Sequence, residues 1–191
     1  MRHEGITAMT PSSVSLGSNA ADFELEGTDG RNYRLADVRG PNGTLVMFIC
    51  NHCPYVKAVL DDIIRDVSEL KALGIGAIAI MPNDTDAYRE DSFEKMRELA
   101  KAKKLPFPYV IDRTQDVTRA YGAVCTPDFF GFNADLKLQY RGRIHAMRNL
   151  QRVPGSGREL FDAMKSIAST GRGPAEQHSS MGCSVKWRND A

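Results

Sequence analysis

Cys50-Asn51-His52-Cys53 falls where a strand pattern gives way to a helix pattern. Before it, Thr44-Leu-Val-Met-Phe-Ile49 is a short apolar run of the kind found in strands buried on both faces. After it, Val56, Val59, Leu60, Ile63, Ile64, Val67 and Leu70 recur at helical spacing. Two thiols three residues apart are thus expected to open a helix, where unpaired N–H groups and the dipole favour a thiolate. A chain with that junction is expected to form an α/β layer structure, with redox chemistry at the strand end.

The charge and cysteine usage narrow the classes. The 25 basic and 24 acidic side chains almost cancel, so neither a nucleic-acid surface nor an acidic partner is indicated. No apolar stretch approaches the roughly 20 residues that cross a bilayer, so no membrane span is expected. Met1 to Leu16 lacks the apolar core of a signal peptide, which makes the cytosol the expected compartment. Four cysteines in 191 residues are few for a disulfide scaffold. In a reducing compartment a close pair is more often catalytic or metal-binding.

The rest of the chain reads as one domain over 19–171, preceded by a flexible leader (1–18) and followed by a tail (172–191). A hairpin turns at Thr28-Asp29-Gly30, with Phe23 and Leu25 before it and Tyr33 and Leu35 after it. A second buried strand is expected over Ala77–Met81, an amphipathic helix over Ser92–Lys103, a strand over Tyr109–Ile111 and a short helix over Val117–Tyr121. The charges from Arg89 to Lys104 read as the wet face of that amphipathic helix. Two strands, Asp128–Phe132 and Leu136–Arg143, then form a hairpin, and a last helix covers Arg158–Ser169. Parallel crossovers followed by an antiparallel hairpin imply a central mixed sheet flanked by helices. The tail is polar, yet Met181, Cys183, Val185 and Trp187 set it apart from a solvated end.

Strand, Cys-x-x-Cys, helix, strand, helix, strand, Thr126-Pro127, hairpin and helix together resemble the thioredoxin fold. Ala21-Asp22-Phe23-Glu24-Leu25 with Gly30, Leu35 and Asp37 is similar to the N-terminal extension of the redoxin branch, which holds AhpC/TSA peroxiredoxins and TlpA-like oxidoreductases. The run from Phe48 to Lys57 and the tail Gly182-Cys-Ser-Val-Lys-Trp187 are similar to a bacterial thioredoxin-like subgroup. The resemblance implies a cis Thr126-Pro127 bond beside the dithiol. It implies thiol–disulfide exchange, with Cys50, the more exposed thiol, attacking a disulfide and Cys53 resolving the mixed disulfide. Thr126 and Pro127 would form the edge on which a protein substrate docks as an added strand. A cellular thiol reductant would complete the cycle, and no cofactor is required. His52 could lower the Cys50 pKa or stand as a solvent-facing loop residue.

Departures from the thioredoxin pattern leave alternatives open. Ile49 replaces the usual tryptophan, Pro54 follows the second cysteine, and Met47 falls where the family carries a buried carboxylate. Cys50-x-x-Cys53-Pro54 also has the spacing of a peroxiredoxin site, in which Cys53 would react with peroxide and Arg141, Arg143 or Arg148 would lie over it. Cys125 could be a third redox partner or an apolar filler. Cys183 could be a resolving thiol if Val185 and Trp187 dock the tail. The weakest reading is a soft metal site built from Cys50, His52, Cys53 and either Cys183 or His178. His3, His145 and His178 otherwise stand alone.

Overall fold

A computed structural model describes residues 14–189. The chain begins with the hairpin β1 (Glu24–Gly27) and β2 (Asn32–Arg34), then a one-turn helix α1 (Leu35–Val38) and β3 (Gly43–Phe48). Next come α2 (Pro54–Lys71), β4 (Ile75–Met81), a 3₁₀ turn over Arg89–Asp91, α3 (Phe93–Lys103), β5 (Tyr109–Ile111) and α4 (Asp116–Tyr121). The two-residue β6 (Cys125–Thr126) leads into the hairpin β7 (Asp128–Phe132) and β8 (Leu138–Gly142). A small ribbon of β9 (Met147–Arg148) and β10 (Gln151–Arg152) precedes α5 (Glu159–Thr170), and β11 (Cys183–Ser184) lies in the tail.

Seven strands form one mixed sheet in the order β2-β1-β5-β4-β3-β7-β8. β3, β4 and β5 are parallel, and β7 runs antiparallel to β3. Every residue of β3 is buried, and its side chains alternate between two cores. Leu45 and Met47 join α2 and α5 on one face, with Val59, Ile63, Leu160 and Met164. Val46 and Phe48 join Phe130, Tyr121 and Leu35 on the other. That two-sided burial is why the strand reads as a continuous apolar run rather than an alternating one. Thioredoxin-like architecture therefore holds, with helices on both faces of a central mixed sheet.

Two expectations need correction, and the tail takes a definite place. Leu35 ends the hairpin by starting α1, because the Asp37 carboxylate accepts a bond from the Arg34 N–H and turns the chain into a helix. The described part of the expected leader, 14–18, is tied down: Gly17 N–H donates to Leu138 O at 2.7 Å and Leu138 N–H donates to Ser18 O at 2.9 Å. The remainder of the leader, His3 included, lies outside the described residues. Finally, β6 and β11 pair antiparallel, Cys183 opposite Thr126 and Ser184 opposite Cys125, so the tail adds a strand of its own.

Tail docking extends well past that pair. Arg143 N–H donates to His178 O (2.9 Å), Val185 N–H to Val124 O (3.0 Å) and Asp84 N–H to Lys186 O (2.8 Å). The Ser180 hydroxyl reaches Asp128 Oδ1 (3.0 Å) and Gly142 O (2.7 Å), and the Gln115 amide donates to Lys186 O. Val185 is buried, and Arg119 lies over the Trp187 ring at 4.9 Å. Burying Val185 contributes about 1.5–3 kcal/mol, and each net hydrogen bond about 1 kcal/mol. Residues from the end of β8 to the segments that follow β4 and β5 thus hold the tail against the domain.

Candidate functional site

The helix begins at Pro54, after both thiols, rather than at Cys50 as the expected thiol-opened helix would. Pro54 occupies the first turn and Cys53 is the N-cap of α2. Proline belongs there because its missing N–H would have no partner and its φ is already helical. Cys50 consequently sits before the helix, in the turn that leaves β3, while Cys53 faces the helix N-terminus. The two thiols therefore experience different fields.

Both are buried: Cys50 is 1% exposed and Cys53 is fully covered. The Cys50 thiol and the Thr126 hydroxyl are 3.3 Å apart, and Cys53 Sγ is 3.3 Å from Thr126 O. The Thr126-Pro127 bond between these groups and β7 is cis. From the other side Cys183 brings its sulfur to 2.8 Å from that of Cys53. None of the three is joined in a disulfide. Cys53 is thus the middle sulfur of three.

That position decides the proton distribution. Hydrogen bonding with the Cys183 thiol, and next with Cys50, pulls the Cys53 pKa below the ordinary thiol value, against the effect of burial. Cys50 moves the opposite way: donating to Cys53, being buried and facing the Asp91 carboxylate all hold it protonated. Neither thiol is exposed, and the pKa shifts run opposite to the lowering expected at Cys50. The reason is local: the helix N-terminus and the sulfurs of Cys183 and Cys50 all face Cys53.

Asp91, fully buried, organises the loop. Its Oδ1 accepts from the backbone N–H groups of Asn51 (2.8 Å) and His52 (3.3 Å). Its Oδ2 faces His52 Nδ1 at 2.5 Å and accepts from Asn83 Nδ2 at 2.9 Å. Burial alone would raise the Asp91 pKa, but the bonds from His52 and Asn83 outweigh it and hold the carboxyl below its usual range. His52 is raised in turn, chiefly by its bond to Asp91, and its ring stacks on Tyr88 at 5.8 Å. The charge of Cys53 adds to the rise at His52. Tyr109, buried in the core, donates to Asn51 Oδ1 at 2.8 Å and fixes the loop from below. Asn83 Oδ1 also accepts the Lys186 N–H at 2.9 Å, which joins the tail to the Asp91–His52 pair.

The sequence reading missed Asp91, Asn83 and Tyr109, and it placed the charges beginning at Arg89 on a wet helix face. Asp91 instead precedes the helix and points inward. Met47 does occupy a core position, so the buried carboxylate near the dithiol comes from another segment. Pro54 was the available signal for the true helix start.

Other expected site residues separate. Cys125 is buried, its thiol turned to Pro127 O at 3.7 Å, and burial followed by the Asp128 charge pushes its pKa well up. That is the behaviour of an apolar filler. The docking edge offered by Thr126 and Pro127 is already taken by β11. Arg141 bonds Gly122 O and Asp128, and Arg143 grips Glu159, so each is spent on another partner. Arg148 stands exposed in β9. His145 does not stand alone: it is buried and its Nε2 meets Asp62 at 2.9 Å. His178 pairs with Glu159 and Glu176, away from the thiols. Cys50, His52 and Asp91 place one donor atom each within 4.8 Å of one another. A cation there would have to displace the bonds that Asp91 already accepts, and the residues do not form a prepared metal cage.

Solved structures with the same architecture include a conserved protein from Geobacillus kaustophilus, 40% identical, with a TM-score of 0.88 over 96% of this chain and 100% of that one. A hypothetical protein from Sinorhizobium meliloti 1021 is 32% identical, with a TM-score of 0.85 over 92% of this chain and 96% of that one. Thiol-disulfide oxidoreductase ResA of Geobacillus thermodenitrificans is 30% identical over 124 residues, 61% of this chain and 63% of ResA. The chain thus spans less than two thirds of that curated relative. The AhpC/TSA family model matches residues 16–141, which takes in the N-terminal hairpin, the Cys-x-x-Cys loop, the cis-proline and most of β8. The chain belongs to the AhpC/TSA family.

Proposed function

We propose that the protein is a thiol–disulfide oxidoreductase whose working couple is the Cys50–Cys53 dithiol and its disulfide. The observation that carries this reading is the convergence of three cysteine sulfurs, none in a disulfide, about one cis-proline, with Cys53 between the other two. A stabilised thiolate with a neighbouring thiol is the minimum equipment for exchange: it attacks a sulfur, and the neighbour displaces the product. The same stabilisation makes the dithiol a weaker reductant, because a low-pKa thiol favours the reduced form. Substrates on this reading are protein or small-molecule disulfides, and a cellular thiol or dithiol restores the couple.

A second reading, peroxide reduction at Cys53, is favoured by the lowered Cys53 pKa. Against it stand the full burial of Cys53 and the commitment of Arg141 and Arg143 to carboxylates. Stopped-flow oxidation of the reduced protein distinguishes them. We expect disulfide substrates to oxidise it far faster than a small dithiol, and hydrogen peroxide no faster. Rapid peroxide consumption that survives Cys50→Ser and disappears in Cys53→Ser would establish the peroxidase instead.

A further inference from the structure

We propose that Cys183 is the port of the redox site: the thiol that meets external disulfides first and passes oxidation inward to Cys53 and then Cys50. The inference rests on the Cys50–Cys53 couple proposed above and assigns the tail a catalytic role within it.

Access is the first argument. A sulfur attacking a disulfide must come into contact with it, yet Cys50 and Cys53 offer almost no surface. Cys183 is only partly buried, which makes it the least covered residue of the three. Distance is the second. The Cys183 and Cys53 sulfurs are 2.8 Å apart, and a disulfide bond is about 2.05 Å long. Little more than a side-chain adjustment separates contact from bond.

Permanence is the third argument. Exposing the dithiol by lifting the tail means breaking the β6–β11 pair, the Val185, Lys186 and Ser180 bonds and the Trp187 contact together. A relay through the docked thiol avoids that cost. The register supports it: Cys183 lies opposite Thr126, whose hydroxyl touches Cys50 and whose carbonyl touches Cys53. Gly182 permits the approach, since a Cβ at that residue would lie 2.1 Å from Thr126 O.

The steps balance as follows. Cys183 attacks one sulfur of a disulfide RSSR′, forming Cys183–SR, and its proton leaves with R′S as R′SH. The Cys53 thiolate then attacks Cys183 Sγ, forming Cys53–Cys183, and RS departs with a proton from water as RSH. Cys50 attacks Cys53 Sγ, forming Cys50–Cys53, and its proton passes to the released Cys183 sulfur. Two electrons leave the Cys50–Cys53 pair and reduce RSSR′. An external dithiol runs the three steps in reverse.

The test compares reduced wild type and Cys183→Ser in reduction of insulin, a protein disulfide substrate. Cys50→Ser is separately oxidised with one equivalent of diamide and mapped by non-reducing peptide mass spectrometry. We expect Cys183→Ser to reduce insulin at least ten-fold more slowly while diamide still closes its Cys50–Cys53 disulfide. In Cys50→Ser the expected product is a Cys53–Cys183 disulfide. Insulin reduction by Cys183→Ser at the wild-type rate, or a Cys50→Ser product without that bond, would overturn the port and leave the couple standing. A wild type no faster than a small dithiol would overturn the couple, and the port with it.

Discussion

Gly182→Ala changes no thiol and adds one methyl group, yet it should disconnect the tail thiol from the site. The new Cβ would lie 2.1 Å from Thr126 O and 2.6 Å from Thr126 C, both main-chain atoms of the paired strand. Ordinary contact begins at 3.4 Å, so the shortfall from 3.4 to 2.1 Å is 1.3 Å. No flexible side chain can absorb it. The backbone at Gly182 is not in the left-handed region, so alanine is unfavourable there through contact alone. Moving Cys183 outward by that amount takes its sulfur from 2.8 Å to about 4 Å from Cys53. A misplacement of about 1 Å in a preorganised reaction costs about 100-fold in rate. The assay is quenched-flow formation of the Cys53–Cys183 disulfide in the Cys50→Ser background, with and without Gly182→Ala. Global stability should change by only about 1 kcal/mol, since most of the fold does not depend on this pair. Disulfide formation within two-fold of the parent would refute the close-approach argument.

Two further outcomes follow from the buried charges. Asp91→Ala strips the acceptor from two backbone N–H groups, Asn83 and His52, and should cost about 3–5 kcal/mol in urea denaturation. Asp91 is lowered and His52 raised, so the carboxylate's contribution is present above pH 3.8 and lost as pH falls through its folded pKa. The His52 contribution is present below pH 6.5 and lost as pH rises through its own folded value. The gap between wild type and Asp91→Ala should therefore narrow toward both extremes, and a gap that is flat with pH would contradict the pairing. Asp128 is the opposite case: burial, opposed by Arg141, raises it from 3.8 to about 6. Between those values the folded state keeps a proton that the unfolded chain releases, so this group's contribution falls as pH rises, by at most about 1.4 kcal/mol per pH unit. Asp128→Asn should flatten that slope in denaturation measured from pH 4 to 7.

The parts of the structure that were legible in the sequence are those with a period. β3 and β4 appeared as apolar runs because both faces of each are covered, and α2 appeared through its buried stripe. The thiol pair at their junction then located the site. The tail strand was not legible: β6 and β11 have two residues each, too few for alternation, and the pair Thr126–Cys183 joins positions 57 apart (183 − 126). Val185 and Trp187 hinted at docking but could not say which sulfur Cys183 would meet. Asp91 stands among Glu90, Asp86 and Asp84, and composition cannot tell the one fully buried carboxylate from its neighbours. Its burial depends on donors brought from Asn51, His52 and Asn83, which only the folded loop assembles. The reversal of the Cys50 and Cys53 proton affinities has a local sign in Pro54, which sets the helix start at the second cysteine.

The most direct measurement on the central claim is a redox titration of the full-length reduced protein with a protein disulfide, with the oxidised product mapped by mass spectrometry. The account expects two electrons per chain, a Cys50–Cys53 disulfide at the end point, and Cys125 still a thiol. An oxidised product with Cys53 as a sulfinic acid or an intermolecular disulfide, and Cys50 still reduced, would contradict it.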